Sequence, residues 1–202
     1  VAALRRDAAF ACTVVATGQH VEMLRQVTDQ FGIQVDAYLD VMRPDQTLAG
    51  LTARLMTAID DWLGRAAPDI ALVQGDTTTV LVAALACFYR HIPIGHVEAG
   101  LRTGNIGSPF PEEANRRLAA PLVTLHFAPT ESARDALLGE GVSAATISVT
   151  GKTVIDALLM ETAEQRRPAH GEAIDRELGS AIGPDWATVP YVLVTGHRRE
   201  NF

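Results

Sequence analysis

The chain has 202 residues and a formal net charge of −7, with 48% hydrophobic and 20% charged residues. This is the composition of a globular protein large enough for one domain and part of a second. The acidic charge argues against nucleic acid as a partner, because nucleic-acid-binding domains need a basic surface. The longest apolar run, around 80–88, is too short to cross a bilayer, so no membrane association is expected.

Short apolar runs alternate with amphipathic stretches, which predicts strands that alternate with helices. The first strand is expected at 11–17 and the first helix at 19–31, followed by a weaker extended segment at 34–42. Thr47 is the predicted N-cap of a long helix that runs through Leu63.

The same alternation continues to the end of the chain. Its further elements are a buried strand at 69–75, a helix at 77–89, a strand at 92–99, a helix at 111–121, a strand at 125–130, a helix capped by Thr130, a strand at 146–151, a helix at 154–164, a helical linker from 165 to about 190 and a last buried strand at 191–196. Near-continuous apolar strands separated by helices favour a parallel sheet covered on both faces. The predicted fold is therefore α/β, with a doubly wound, Rossmann-like parallel sheet.

The cysteines, Cys12 and Cys87, show neither the spacing of a metal site nor that of a disulfide framework. Each lies in an apolar segment, so reduced, buried thiols and a cytoplasmic location are expected. The first residue is not methionine, and the last strand is followed only by a polar cluster, so we expect an internal piece of a longer protein.

Polar clusters directly follow four of the predicted strands. They are GDTTT at 75–79, EAGLRTGN at 98–105, TGKT at 150–153 and TGHRRE at 195–200. Parallel sheets bind ligands outside the carboxyl ends of their strands, so the four clusters predict one ligand-binding edge. TGKT lacks the upstream glycine of a phosphate-binding P-loop, since that position is Thr146, and no nucleoside-triphosphate site is predicted.

The residues at this edge allow more than one interpretation. Spacing favours Asp76 or Thr77 as the cap of the following helix, although the Asp76 carboxylate could instead face a ligand. Glu98 ends an apolar strand without an evident capping role, and burial there would raise its pKa as a general acid or base requires. His96 suits either a satisfied core histidine or the site, and Arg102 suits either a phosphate or neutralisation of Glu98.

Two glutamates, Glu112 and Glu113, fall in the first turn of the helix that follows Pro111. Complementation of the helix dipole is sufficient to explain both. Their helix is nevertheless expected to begin near the 98–105 loop, where a second carboxylate could face Glu98.

Together these motifs resemble the non-hydrolysing bacterial UDP-N-acetylglucosamine 2-epimerases. The segments that carry the resemblance lie at 73–105, 108–118, 125–138, 149–158 and 194–201. Hydrolysing relatives typically have an arginine after the Gly-Asp pair and two glycines after the His-x-Glu motif. This sequence has Thr77 and Ala99–Gly100 at those places.

The resemblance implies two Rossmann-like domains that face each other across a cleft, as in B-type glycosyltransferases. Residues 1–165 would form the N-terminal domain, incomplete at its start, 166–189 a linker, and 190–202 the first strand and loop of a C-terminal domain that is otherwise missing. The full-length protein is expected to be a homodimer, and the piece alone is expected to be inactive.

The implied reaction is the reversible inversion of C2 that interconverts UDP-GlcNAc and UDP-ManNAc through 2-acetamidoglucal. Removing the C2 proton requires a base, returning it to the other face requires an acid, and neither step needs a metal or a redox cofactor. The alternatives are a hydrolysing epimerase that releases ManNAc and UDP, and a non-catalytic sugar-nucleotide-binding module.

The resemblance also assigns roles to individual residues, with Glu98 and Glu112 as the proton-transfer pair and Asp76 assisting or orienting them. The catalytic residues would be Asp76, Glu98, Glu112 and His197, the substrate-binding residues Arg102, Arg116, Arg198 and Glu200, and the residues of an allosteric UDP-GlcNAc site Gln19, His197, Arg198 and Glu200.

Overall fold

The computed structural model describes residues 1–18, 21–192 and 194. Its helices are α1 (Ala2–Arg6), α2 (Val21–Gln30), α3 (Leu48–Ala66), α4 (Thr78–Tyr89), α5 (Glu112–Ala119), α6 (Glu131–Gly139), α7 (Thr153–Gln165) and α8 (Pro168–Ile182). Its strands are β1 (Val15–Ala16), β2 (Ala37–Tyr38), β3 (Ala71–Gln74), β4 (Ile94–Val97), β5 (Leu125–Ala128) and β6 (Ile147–Val149). The predicted alternation of strands and helices is confirmed from β1 to α7, although most strands are shorter than predicted.

All of the strand pairs among the described residues are parallel. β1 pairs with β2, and a second sheet has the order β3-β4-β5-β6, so consecutive strands of the chain are neighbours in space. The predicted strand at 11–17 shrinks to two residues because only Val15 and Ala16 find partners on β2. Each connection in the four-stranded sheet contains a helix, as parallel neighbours require.

The main core lies between the long helices and one face of the four-stranded sheet. It contains Leu55 and Ile59 of α3, Val82 and Cys87 of α4, and Ile94 of β4. Burial raises the pKa of the Cys87 thiol to about 11, which matches the expected inert thiol.

The second cysteine is less enclosed than the sequence predicts. Cys12 is half-buried, because it precedes the two residues of β1 that pair with β2. The prediction of a buried thiol is therefore confirmed for Cys87 and wrong for Cys12.

The opposite face of this sheet is more open than the sequence predicts. Alternate residues of a strand point to opposite faces, and the register places Leu72, Gly95 and Leu125 on one face. Leu72 is 47% exposed and Leu125 is 38% exposed, so the predicted burial on both faces is wrong here. The core helices pack against the face that carries Ile94 instead, and an apolar pattern alone does not say which face a helix covers.

The Thr47 N-cap is confirmed, and it provides a test of local stability. The Thr47 hydroxyl accepts a hydrogen bond from the Gly50 amide at 3.0 Å. Thr47→Ala should therefore lower the free energy of unfolding by about 1 kcal/mol. Thr77 has the same position at α4 but makes no side-chain capping bond, so Thr77→Ala should change the stability by at most a few tenths of a kcal/mol. Urea unfolding followed by circular dichroism measures both, and equal losses would contradict the capping role.

The chain divides into two compact units, Val1–Lys152 and Thr153–Phe202. In the second unit α7 and α8 contact each other, and α8 confirms the predicted helical character of the linker. The predicted domain limits at 165 and 189 stay predictions. No helix in the described part of the chain is long and apolar enough to cross a membrane.

The predicted buried strand at 191–196 is wrong for those of its residues that the structure describes. Tyr191, Val192 and Val194 belong to no strand, and Val192 is 87% exposed. The described residues of this unit are helical or irregular, so they offer no strand to which such a segment could pair. The other residues of the segment lie outside the described residues.

Candidate active site

The carboxyl ends of the parallel strands bring three of the four predicted polar clusters to one edge, and the fourth, TGHRRE, lies outside the described residues. GDTTT follows β3, EAGLRTGN follows β4 and TGKT follows β6, in a sheet whose strands all run in the same direction. A hydrogen bond of 3.1 Å from the Gly75 amide to the Val97 carbonyl joins the ends of β3 and β4. Asp76 and Glu98 therefore leave neighbouring strands at the same edge.

Asp76 is held by helix α5 rather than serving as a cap for α4. Its carboxylate accepts a hydrogen bond from Arg116 Nη1 at 2.6 Å, and its carbonyl accepts one from Asn115 Nδ2 at 2.9 Å. Thr77 has the N-cap position of α4 but makes no side-chain capping bond. The spacing argument for a cap at Asp76 is wrong, because its partners lie about 40 residues away in sequence and spacing could not reveal them.

Glu98 stands in a strained turn at the end of β4. Its φ angle is 66°, in the left-handed region that non-glycine residues rarely adopt, and Gly100 follows with a φ of 86°. Among the described residues, the half-buried Glu98 carboxylate has no hydrogen-bond or ion-pair partner. Strained backbone with an unpaired carboxylate is typical of a functional position.

Glu112 is the first residue of α5, which begins beside the loop that follows β4. The Thr103 amide donates to Glu113 Oε2 at 3.2 Å, so the expected proximity of helix and loop is confirmed. The Glu112 side chain is half-buried, and within the described part of the chain it has no hydrogen-bonding partner. Glu98 and Glu112 thus differ from Asp76, whose carboxylate is ion-paired.

Glu113 makes contacts that its place in the first turn of a helix did not indicate. Its side chain is 0% exposed, and it forms ion pairs with Arg116 at 2.9 Å and with Arg117 at 3.3 Å. Burial alone would raise the pKa of Glu113, but hydrogen bonds from Arg116, Thr103 and Arg117 outweigh it and lower the pKa below its usual range. The spacing of three and four residues to the two arginines was a usable signal, because such pairs meet on a helix surface.

Arg102 is engaged by a partner that the sequence did not indicate. Its Nε and Nη2 atoms donate to the two carboxylate oxygens of Glu140 at 2.8 and 2.7 Å. The alternative that Arg102 neutralises Glu98 is therefore wrong. This pair ties the loop after β4 to the end of α6. The predicted contact of Arg102 with substrate stays a prediction.

His96 and His126 are neighbours on β4 and β5, and both are buried. His96 Nε2 lies 2.7 Å from the Gly75 carbonyl oxygen. Of the two interpretations, a hydrogen-bonded core histidine or a residue of the site, this contact favours the core histidine. His126 Nδ1 is buried without a hydrogen-bond partner, and burial, with the neighbouring positive charges of His96 and Arg102, lowers the pKa of His126 to about 4.

The buried imidazole of His126 predicts a loss of stability in mild acid. An unfolded histidine binds a proton near pH 6.5, whereas folded His126 does so only near pH 4. The stability that it contributes is complete above pH 6.5 and falls as the pH drops towards 4. Between pH 7 and pH 4.5, wild type should lose about 2 kcal/mol more of its free energy of unfolding than His126→Phe does.

This measurement requires only urea unfolding curves at the two pH values. A steric cost of the phenylalanine ring is the same at both, so it cancels in the difference. Parallel losses in wild type and variant would show that His126 titrates in the folded protein as it does in the unfolded chain.

Four of the predicted site residues lie outside the described residues. They are Gln19, His197, Arg198 and Glu200. Their catalytic, substrate-binding and allosteric roles stay predictions. Within residues 1–18, 21–192 and 194, no group of three or more histidine, cysteine, aspartate or glutamate side chains is arranged to hold a metal ion.

Comparison with known proteins decides the family. The family model described as UDP-N-acetylglucosamine 2-epimerase matches residues 2–202. The chain belongs to this family. The UDP-N-acetylglucosamine 2-epimerase of Yersinia pestis is 48% identical over 202 residues, which are 100% of this chain and 53% of that protein. The chain thus spans about half the length of the curated relatives it matches.

Solved epimerase structures show the same fold. The epimerase of Neisseria meningitidis, crystallised with UDP-GlcNAc, has a TM-score of 0.82 at 43% identity, covering 87% of this chain and 48% of that one. The epimerase of Methanocaldococcus jannaschii, in complex with UDP-GlcNAc and UDP, has a TM-score of 0.81 at 30% identity, covering 88% and 49%. These similarities confirm the predicted fold class, with its likeness to the glycosyltransferase-B-type architecture.

Proposed function

We propose that the protein that carries this chain inverts C2 of UDP-GlcNAc reversibly, giving UDP-ManNAc. The observation that carries the proposal is a group of three carboxylates in an epimerase-family chain. They lie at the edge formed by the carboxyl ends of the strands, which we call the strand-end edge. Glu98 and Glu112 have no partners among the described residues, whereas Asp76 is ion-paired. This division suits proton transfer, because a base must have a free lone pair while an orienting group is best held still.

The chemistry proceeds by elimination and re-addition. One carboxylate removes the C2 proton, the electrons of that bond form the C1–C2 double bond, and the C1–O bond breaks so that UDP leaves with its electron pair. The product is 2-acetamidoglucal. Addition of UDP at C1, with proton delivery to the opposite face of C2, completes the inversion.

Glu98 and Glu112 are the proposed proton-transfer residues, one for each face of C2. Asp76 has an orienting role, and its bonds to Arg116 and Asn115 support it. His197 and Arg198 are proposed to lie near the nucleotide or a regulatory ligand. The non-hydrolysing subclass rests on Thr77 and Ala99–Gly100, which differ from the hydrolysing pattern.

The test uses the full-length protein with UDP-GlcNAc in D₂O, followed by NMR of C2 and of free UDP. The expected result is deuterium at C2 together with UDP-ManNAc at equilibrium. Accumulation of free ManNAc and UDP would establish the hydrolysing reaction instead. Saturable binding without exchange at C2 would leave only a sugar-nucleotide-binding module.

The quaternary structure and the location in the cell also remain predictions. The resemblance implies a homodimer for the full-length protein, and sedimentation velocity at several concentrations would measure it. Reduced cysteines predict a cytoplasmic protein, which fractionation of the source cells would check.

A further inference from the structure

Glu113 is a buried charge that the proposed proton transfers do not use. Its Oε2 atom accepts hydrogen bonds from Arg116 Nε at 3.1 Å, from Arg116 Nη2 at 2.9 Å and from the Thr103 amide at 3.2 Å. Its Oε1 atom accepts one from Arg117 Nε at 3.3 Å. Complementing the helix dipole requires none of these contacts, because an exposed carboxylate in the first turn does so equally well.

One branch of this network leads to Asp76. The Arg116 side chain is only 8% exposed, and two of its nitrogens are fixed on Glu113. The guanidinium is planar and rigid, so fixing that edge directs Nη1 at Asp76, where it donates at 2.6 Å. Arg116 therefore connects Glu113 to the Asp76 carboxylate, which Glu113 itself does not touch.

The other branch leads to the loop that carries Glu98. The Thr103 amide is bound to the same Glu113 oxygen as Arg116, and Thr103 lies five residues after Glu98. Between them, Gly100 packs closely against the Ala133 carbonyl of α6. The loop is thus fixed at Gly100 and at Thr103. Glu112, the residue before Glu113, begins α5, the helix that holds the loop.

We propose that Glu113 is a positioning residue of the epimerisation, which acts on Asp76 through Arg116 and on the Glu98 loop through the Thr103 amide. The inference rests on the proposed function, and it adds a residue that never needs to touch the substrate. Misplacing catalytic groups by about 1 Å can slow an enzyme by about 10²-fold, so such a residue should affect turnover more than binding.

The test compares full-length wild type with Glu113→Gln and Glu113→Asp. Glutamine keeps the shape but loses the charge, whereas aspartate keeps the charge on a shorter side chain. Glu113→Gln should lower kcat by about 30- to 100-fold and change the KM for UDP-GlcNAc by less than about threefold. Deuterium exchange at C2 should slow by the same factor as kcat, and Glu113→Asp should recover part of the loss.

Asp60→Asn is the matched control. The Asp60 carboxylate accepts hydrogen bonds from two nitrogens of Arg90, and the variant removes this other arginine-carboxylate pair. This pair joins α3 to α4 away from the strand-end edge, so the variant should keep the wild-type kcat. Three results would overturn the proposal: a folded Glu113→Gln with kcat within about threefold of wild type, a loss confined to KM, or an equal loss in Asp60→Asn.

Arg116→Lys covers the case in which Glu113→Gln fails to fold. Lysine keeps the positive charge, but its single ammonium cannot hold the fixed fork between Glu113 and Asp76. It should therefore also lower kcat and slow deuterium exchange at C2, and an unchanged kcat would refute the positioning role. A wild-type protein without C2 exchange would overturn the proposed function together with this inference, whereas an active wild type with an unaffected variant would overturn only the inference.

Discussion

Adding one methyl group at position 100 should lower the free energy of unfolding by about 2–5 kcal/mol. A Cβ on Gly100 would overlap the Ala133 carbonyl oxygen and would lie 3.0 Å from Leu137 Cδ1. Neither neighbour moves easily, because the first is helix backbone and the second is completely buried. The φ angle of 86° adds a further cost for any residue with a side chain.

Gly104→Ala separates these two effects. Gly104 has a similar φ angle of 80°, but a Cβ there would have no atom within 4 Å. That variant should therefore lose only the backbone contribution, about 1–2 kcal/mol. Urea unfolding followed by circular dichroism measures both variants, and equal losses would show that close packing of Gly100 on α6 contributes nothing.

The second large effect is expected at Glu98. In the full-length protein, Glu98→Gln should lower kcat by about 10³-fold, because glutamine keeps the shape of the side chain but cannot accept the C2 proton as a carboxylate does. The KM for UDP-GlcNAc should change by less than about threefold, and incorporation of deuterium at C2 should fall in proportion to kcat.

Glu131→Gln is the control for removing one carboxylate. Glu131 lies in the first turn of α6, where its side chain is 72% exposed and its pair with Arg134 is long, at 3.4 Å. Its removal should leave kcat unchanged. If Glu98→Gln kept a rate within tenfold of wild type, Glu98 would not be a proton-transfer residue, and Glu112 and Asp76 would become the next candidates.

These two predictions concern one structural element. The turn after β4 carries Glu98 in a left-handed conformation, and two residues later it packs Gly100 against α6. The sequence pattern at 92–105, an apolar strand that ends on a carboxylate and a glycine-rich loop, is thereby explained. The strand supplies a rigid starting point, and the glycine allows the loop to approach the next helix closely.

Local sequence patterns predict the order and kind of most elements and the edge at which three of the polar clusters lie. Such features depend on local periodicity and on the rule that parallel strands share their carboxyl ends, so they need no knowledge of distant contacts. Thr47 and Thr130 illustrate this, since the neighbouring residues alone predict a cap at each and each makes that hydrogen bond.

Which charged groups pair depends on contacts between residues that are distant in sequence. Asp76 pairs with Arg116 across 40 positions, and Arg102 pairs with Glu140 across 38, whereas the sequence favoured a helix cap for the first and offered Glu98 as a partner for the second. The exposure of Leu72 could not be predicted from the sequence for the same reason. A strand pattern records which residues are apolar, but crossover connections decide which helix covers them and which distant side chain comes within bonding distance.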